Sequence, residues 1–149
     1  MYLMEYRNRQ LLLAGRAEPF MVPSNVFIIG TMNTADRSIA LVDHALRRRF
    51  SFVYLAPDYE ILRRRLESDG LPSGLPEVLA SINKEIGDRN YEIGISFFMS
   101  DGATLKASLE SIWKGEIESY LEEFFFDKPE KVDAFRWASI IQTGLQGWA

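Results

Sequence analysis

The sequence predicts an α/β fold over residues 1–56, followed by an all-helical region over residues 57–149. Three observations support this division. The apolar run Val26–Gly30 is typical of a strand buried on both faces of a parallel sheet. Strand, loop, helix and strand then alternate as far as Leu55. After Pro57, apolar residues recur only at helical spacing.

The other elements of the first region follow from turn and capping residues. Ser38 is suited to cap a helix, and short apolar runs on either side of a turn predict a hairpin. In chain order we expect a helical turn, the two arms of the hairpin, the capped helix and a second strand: Tyr2–Tyr6, Leu11–Leu13, Phe20–Val22, Ile39–Arg48 and Phe50–Leu55.

The second region contains five apolar stripes and one extended segment. The stripes predict helices that begin near Tyr59, Leu75, Leu105, Ile117 and Pro129. Pro129 is placed at the start of the last helix because proline is favoured in the first turn. The segment Glu92–Met99 has no such spacing and is interpreted as extended.

Composition excludes several classes of site. The 149 residues contain no cysteine and one histidine, so a disulfide, a thiolate metal site and a histidine-rich metal site cannot form within this chain. The 47% hydrophobic fraction is that of a globular protein, and no apolar run reaches the roughly 20 residues of a membrane span. The first residues do not resemble a signal peptide. We therefore expect a cytoplasmic protein without membrane contact.

Charge is distributed unevenly along the chain. Residues 36–65 hold seven arginines against four acids, whereas residues 110–135 hold eight acids against three lysines. A local arginine cluster on a chain of net charge −4 favours a local anion site over a general nucleic-acid surface.

Asn33 lies three residues after the predicted buried strand, in the sequence Gly-Thr-Met-Asn-Thr-Ala-Asp-Arg. Ligands of open α/β sheets bind at the carboxyl ends of strands. An asparagine amide both donates and accepts hydrogen bonds, so it can hold a water beside a phosphate oxygen. The alternative is an ordinary loop whose polar side chains fill turns and cap the next helix.

Arg47, Arg48 and Arg49 end the predicted helix. Guanidinium groups there can bind phosphate, including that of a neighbouring subunit, but they also complement the helix dipole. Successive helical residues point about 100° apart, so at most two of the three can serve one site. Asp43 lies one turn before Arg47 and can pair with it.

The segment Val26–Phe52, VFIIGTMNTADRSIALVDHALRRRFSF, resembles the sensor-1 and arginine-finger region of McrB-type AAA+ proteins. Those proteins are the GTP-dependent motor subunits of modified-cytosine restriction systems. Glu92–Met99 is similar to the lid motif of the family, with Ile95 in place of histidine or proline and Phe97 in place of tyrosine. Glu118–Phe135 resembles the closing helices of the lid.

The resemblance implies an AAA+ α/β part over residues 1–56 and a helical lid over residues 57–149. It assigns Asn33 as sensor 1, which orients the attacking water, and Arg48 with Arg49 as the finger that reaches the next protomer. It places the remaining functional residues in the loop stimulated by a partner subunit or beside the arginines: Asp36, Arg37 and Asp43.

The Walker A pattern GxxxxGK[ST] and a Walker B strand are absent from this sequence. We therefore expect this chain alone to be inactive and to bind no nucleotide. The family implies GTP or ATP with magnesium as cofactors of a complete motor. It also implies other AAA+ protomers, a McrC-like stimulating subunit, and DNA contacted through other domains. The alternative is a non-catalytic module that docks on an intact AAA+ partner.

Overall fold

The computed structural model describes residues 2–32 and 47–148. The chain divides into two compact units, Met1–Tyr54 and Leu55–Ala149. The boundary predicted from the sequence lies two residues further along the chain.

The described part of the first unit contains one helical turn, α1 (Tyr2–Glu5), and one antiparallel pair, β1 (Leu11–Leu12) with β2 (Pro19–Phe20). These elements confirm the predicted helical turn and hairpin. In the register of the pair, Leu11 lies opposite Phe20 and Leu12 lies opposite Pro19.

The two longer strands predicted in the first unit do not form. Neither Val26–Gly30 nor Phe50–Leu55 has strand structure, and the only sheet among the described residues is β1–β2. Phe27 and Ile29 are 86% and 93% exposed. The predictions of a strand buried on both faces at Val26–Gly30 and of a second strand at Phe50–Leu55 are therefore wrong. A buried strand depends on ladder hydrogen bonds from neighbours on both sides, and no such neighbours are among the described residues. The predicted helix Ile39–Arg48 lies outside the described residues except at its end.

The second unit is helical. Its first three helices are α2 (Tyr59–Ser68), α3 (Leu75–Ile86) and α4 (Gly102–Ile112), and a short 3₁₀ turn, Ile95–Phe98, lies between α3 and α4. The predicted extended segment Glu92–Met99 is therefore only partly correct. Its end forms a 3₁₀ turn because Phe98 must enter the core, where it is fully buried.

Capping residues set where these helices begin and end. The Asp58 carboxylate accepts hydrogen bonds from the backbone of α2, and Asp101 accepts one from Thr104 N at 3.1 Å in α4. Helix α3 has Pro76 in its first turn and ends at Gly87, whose φ of +67° is readily adopted only by glycine.

Helix α4 continues without a break into a π-helical segment, Trp113–Ile117, and then into α5 (Glu118–Phe124). The two helices predicted near Leu105 and Ile117 therefore form one continuous helix. The π segment inserts an extra residue, which keeps both apolar stripes directed at the same core.

Two short helices complete the unit, α6 (Glu130–Asp133) and α7 (Trp137–Thr143). The single last helix predicted after Pro129 is divided between them. The break is stabilised by Trp113 Nε1, which donates to Phe135 O at 2.8 Å, and by Glu118, whose Oε1 accepts from Trp137 N at 2.7 Å.

One apolar core joins all of these helices. It contains aliphatic residues from every helix of the second unit and four large aromatic residues, Phe98, Trp113, Phe125 and Trp148. Its fully buried members include Leu62, Leu79, Trp113, Leu121 and Leu145. No helix in the described part of the chain is both long enough and apolar enough to cross a membrane.

Candidate functional site

The arginine cluster lies in the first unit and its three members have different surroundings. Arg48 is exposed, and no residue in the described part of the chain forms an ion pair or hydrogen bond with it. Arg49 is half-buried and forms an ion pair with Glu5 of α1. The guanidinium carbon of Arg47 lies 5.8 Å from the centre of the Phe52 ring. Arg47 and Arg48 are both exposed, and of these two only Arg47 has a ring contact among the described residues.

The other residues predicted for the site are Asn33, Asp36, Arg37 and Asp43. All four lie outside the described residues. Their distances from Arg48 and Arg49, and the assembly of the predicted site, therefore stay predictions.

Asn83 on α3 is the one buried polar residue of the described part of the chain, with 5% of its surface exposed. Its Nδ2 donates to Ile93 O at 2.9 Å and to the Tyr59 hydroxyl at 2.9 Å, and its Oδ1 accepts from Ile93 N at 2.7 Å. The side-chain amide thus pairs with both backbone groups of Ile93, as a neighbouring strand would. These bonds satisfy groups that would each cost about 1–3 kcal/mol if buried without a partner.

A second helix holds the same segment from another direction. The Tyr120 hydroxyl of α5 donates to Tyr91 O at 2.6 Å, and the Tyr91 ring lies 5.4 Å from the Phe124 ring. Burial raises the pKa of Tyr120 to about 12. The phenol therefore stays protonated, and able to donate, at neutral pH.

The segment fixed in this way leads directly into the 3₁₀ turn. Phe98 is fully buried and lies 6.3 Å from the Trp113 ring, whereas Ser96 is exposed and Phe97 is 43% exposed. The turn therefore presents a hydroxyl and an aromatic ring to solvent from a backbone anchored on both sides. We call Ser96 and Phe97 the exposed corner.

A shallow groove of about 520 Å³ lies on the second unit between the start of α2 and the first turns of α3. Its cation, Arg63, forms ion pairs with Glu60 and, at 2.6 Å, with Glu77. The hydrogen bond from Arg63 lowers the pKa of Glu77, and the bonds to Glu77 and Glu60 raise the pKa of Arg63. Two carboxylates compensate this guanidinium, so the groove is poorly suited to bind a phosphate.

No cluster of three or more acidic or histidine side chains suited to a metal ion occurs among the residues the structure describes.

The sequence analysis did not predict the role of Asn83. The available signal was a polar residue one turn after Leu79, on the stripe that also contains Ile82 and Ile86. A polar side chain on an otherwise apolar face indicates a buried hydrogen-bond network.

The comparisons with known proteins agree with this helical unit. Residues 74–133, from the start of α3 to the end of α6, match the family described as McrB, alpha-helical lid domain. The second unit therefore contains the helical lid of a McrB-type protein. The chain is 40% identical over 131 residues to the Type IV methyl-directed restriction enzyme EcoKMcrB subunit of Escherichia coli K12.

That similarity covers 76% of this chain and 28% of the relative. The chain is thus of McrB type, as the resemblance indicated, and spans about a quarter to a third of the length of the relative it matches. The similarity extends beyond the lid, because the lid match alone accounts for only residues 74–133.

Proposed function

We propose that this chain works as part of a McrB-like AAA+ motor that takes part in DNA restriction. In this proposal it contributes a helical lid, Asn33 as sensor 1 and Arg48 as an arginine finger acting on the nucleotide of another protomer. The observation that carries the proposal is the McrB lid match over residues 74–133, joined in one chain to an exposed arginine.

The surroundings of the arginines favour Arg48 as the acting member. An arginine finger must extend from the surface of its own protomer into the neighbouring site, where it neutralises charge that develops on the transferring phosphoryl group. Arg48 is exposed and has no ion-pair partner among the described residues, whereas the guanidinium of Arg49 is held by Glu5. We propose that Arg49 orients the chain next to Arg48 and that Asp43 supports this pair.

In this proposal the nucleotide on which Arg48 acts is held by another protomer, and this sequence contains no Walker A motif. GTP with magnesium is the proposed nucleotide, and ATP is the alternative. The proposed partners are other McrB-type protomers and a McrC-like subunit that acts through Asp36 and Arg37. DNA would be contacted by other domains of the restriction system.

A second function is favoured by one observation. The second unit has a complete core of its own, whereas no phosphate-binding loop is present in this sequence. A module of this kind can dock on an intact McrB-type protomer without contributing to hydrolysis. The two functions differ in whether docking changes the hydrolysis rate.

The test uses an intact McrB-type protomer whose own arginine at the position equivalent to Arg48 is replaced by alanine. Adding this chain should restore GTP hydrolysis, measured as phosphate release, whereas the chain alone is expected to release no phosphate. The Arg48→Ala chain should restore roughly 10³-fold less, because finger arginines contribute about 10³–10⁵ in rate.

Arg64→Ala is the matched control, since Arg64 is also an exposed arginine but lies on α2. This variant should restore hydrolysis as well as the unmodified chain. Equal activity of the Arg48→Ala and unmodified chains would contradict the finger. Binding without any restored hydrolysis would favour the docking module.

A further inference from the structure

Helix α1 contains the one buried residue among the described residues of the first unit, 2–32 and 47–54. That residue is Leu3, which is 8% exposed, whereas the other described residues of this unit are partly or largely exposed. Burial of apolar surface is the main force that fixes an element in place. Side chains on α1, and in the turn that follows it, are therefore suited to hold other segments of the unit.

Two charged side chains connect α1 and its turn to distant segments. The Arg7 guanidinium, in the turn after the helix, donates to Val26 O at 2.6 Å. Glu5 forms an ion pair with Arg49 and accepts a hydrogen bond from its Nη2, across 44 positions of sequence. The segment that leads to Asn33 and the segment that contains the arginines are thus both bound at α1.

The pair of Glu5 with Arg49 is suited to fix the arginine segment. The Arg49 side chain is 19% exposed and the Glu5 side chain is 45% exposed. Charge-assisted hydrogen bonds are stronger than neutral ones, and partial burial reduces the screening that weakens exposed ion pairs. One planar peptide unit joins Arg48 to Arg49, so a fixed Arg49 limits the positions that Arg48 can reach.

We infer that Glu5 is a positioning residue for the arginine finger, because it holds Arg49 and so fixes the backbone from which Arg48 extends. This inference rests on the proposed function. Glu5 does not contact the nucleotide, and it changes the fraction of engaged complexes in which Arg48 is correctly placed. Its loss should therefore lower the maximal rate of hydrolysis and leave the half-saturating concentration of the chain unchanged.

The first measurement is NMR of the arginine side chains in the purified chain, which requires no partner. The Arg49 guanidinium signals are assigned by their loss in Arg49→Lys. Glu5→Ala should raise the exchange of these protons with water about fivefold, because a partly exposed ion pair changes a population by up to roughly that factor. Helix α1 should remain formed, since alanine is the best helix former.

Glu18→Ala is the matched control for this measurement. Glu18 is an exposed acid of the same unit and lies on the loop between β1 and β2. Its replacement changes the net charge as Glu5→Ala does, and it should leave the exchange of the Arg49 guanidinium unchanged.

The second measurement is a titration of the chain into the finger-deficient protomer, followed by GTP hydrolysis. Glu5→Ala should lower the maximal rate about fivefold at an unchanged half-saturating concentration. Glu5→Asp keeps the carboxylate on a shorter side chain and should restore part of the rate. Glu18→Ala should behave as the unmodified chain.

A double-mutant cycle tests whether Glu5 acts through Arg49. In the Arg49→Ala chain, Glu5→Ala should have no further effect on the maximal rate, because its partner is already absent. Effects that multiply would overturn the positioning role, and so would an unchanged maximal rate in Glu5→Ala.

Glu5→Gln keeps the inference testable if Glu5→Ala does not fold, because it retains the shape of the side chain and removes only the charge. Its effects should have the same direction and be smaller. Unchanged exchange of the Arg49 guanidinium in both variants shows that the pair does not hold Arg49 and overturns the inference. Failure of the unmodified chain to restore hydrolysis, while the exchange difference is present, overturns the proposed function and with it the positioning role.

Discussion

Tyr120 connects ionisation to stability at the scale of a single residue. Burial raises its pKa to about 12, whereas an unfolded tyrosine titrates near 10. The unfolded chain therefore loses this proton at lower pH than the folded chain does. The contribution of the neutral phenol to stability is complete below about pH 10 and is lost as the pH rises through 12.

We therefore expect the free energy of unfolding to fall more steeply between pH 10 and 12 in the unmodified chain than in Tyr120→Phe. Urea unfolding at a series of pH values measures this difference. Phe126→Ala is the control, because Phe126 is 82% exposed and carries no ionisable group, so this variant should keep the slope of the unmodified chain. Parallel curves for the unmodified chain and Tyr120→Phe would show that the Tyr120 hydroxyl is not ionised differently in the two states.

At the scale of elements, the π segment and the turn before α3 each contain a glycine with a different constraint. A Cβ added at Gly115 would meet nothing within 4 Å. One added at Gly74 would lie 2.2 Å from Gly144 O, and the backbone there has a φ of +111°. The same substitution should therefore have opposite effects at the two positions.

Gly115→Ala should raise the free energy of unfolding by about 0.5–1 kcal/mol, because alanine is the better helix former. Gly74→Ala should lower it by about 1–3 kcal/mol from the close contact alone. Thermal denaturation followed by circular dichroism measures both. A loss of stability in Gly115→Ala would indicate that the π segment needs a glycine for a reason other than local geometry.

At the scale of the whole molecule, the folded lid extends beyond the residues that match the family. The match ends at residue 133, but Leu145 is fully buried and Trp148 is 7% exposed in the same core. Leu145→Ala should therefore cost about 2–5 kcal/mol of stability.

Phe126→Ala is the matched control for this prediction, because Phe126 is 82% exposed and its truncation should change stability by less than about 0.5 kcal/mol. Chemical denaturation of the two variants gives the comparison. Similar midpoints would mean that residues 134–148 do not contribute to the core of the lid.

The amino-acid sequence by itself determined the helical unit and its relationship to McrB. Stripes such as Leu62 with Leu66 predict which helix faces are buried, because helical spacing can be recognised in the local sequence without knowing which elements pack against the helix. The caps Asp58 and Asp101 were not predicted, although their signal is also local, because their side chains bind backbone groups two or three residues away.

The tertiary structure decided what depends on distant partners. Val26–Gly30 has the composition of a buried strand, yet it forms no ladder, since strand structure requires a neighbouring backbone that local sequence does not specify. Arg48 and Arg49 are adjacent in sequence, and the fold distinguishes them by burying Arg49 in part and pairing it with Glu5. Asn83 hydrogen-bonds to the backbone of Ile93, ten residues away. The partners of a buried amide depend on which groups the fold brings next to it, and local sequence does not specify them.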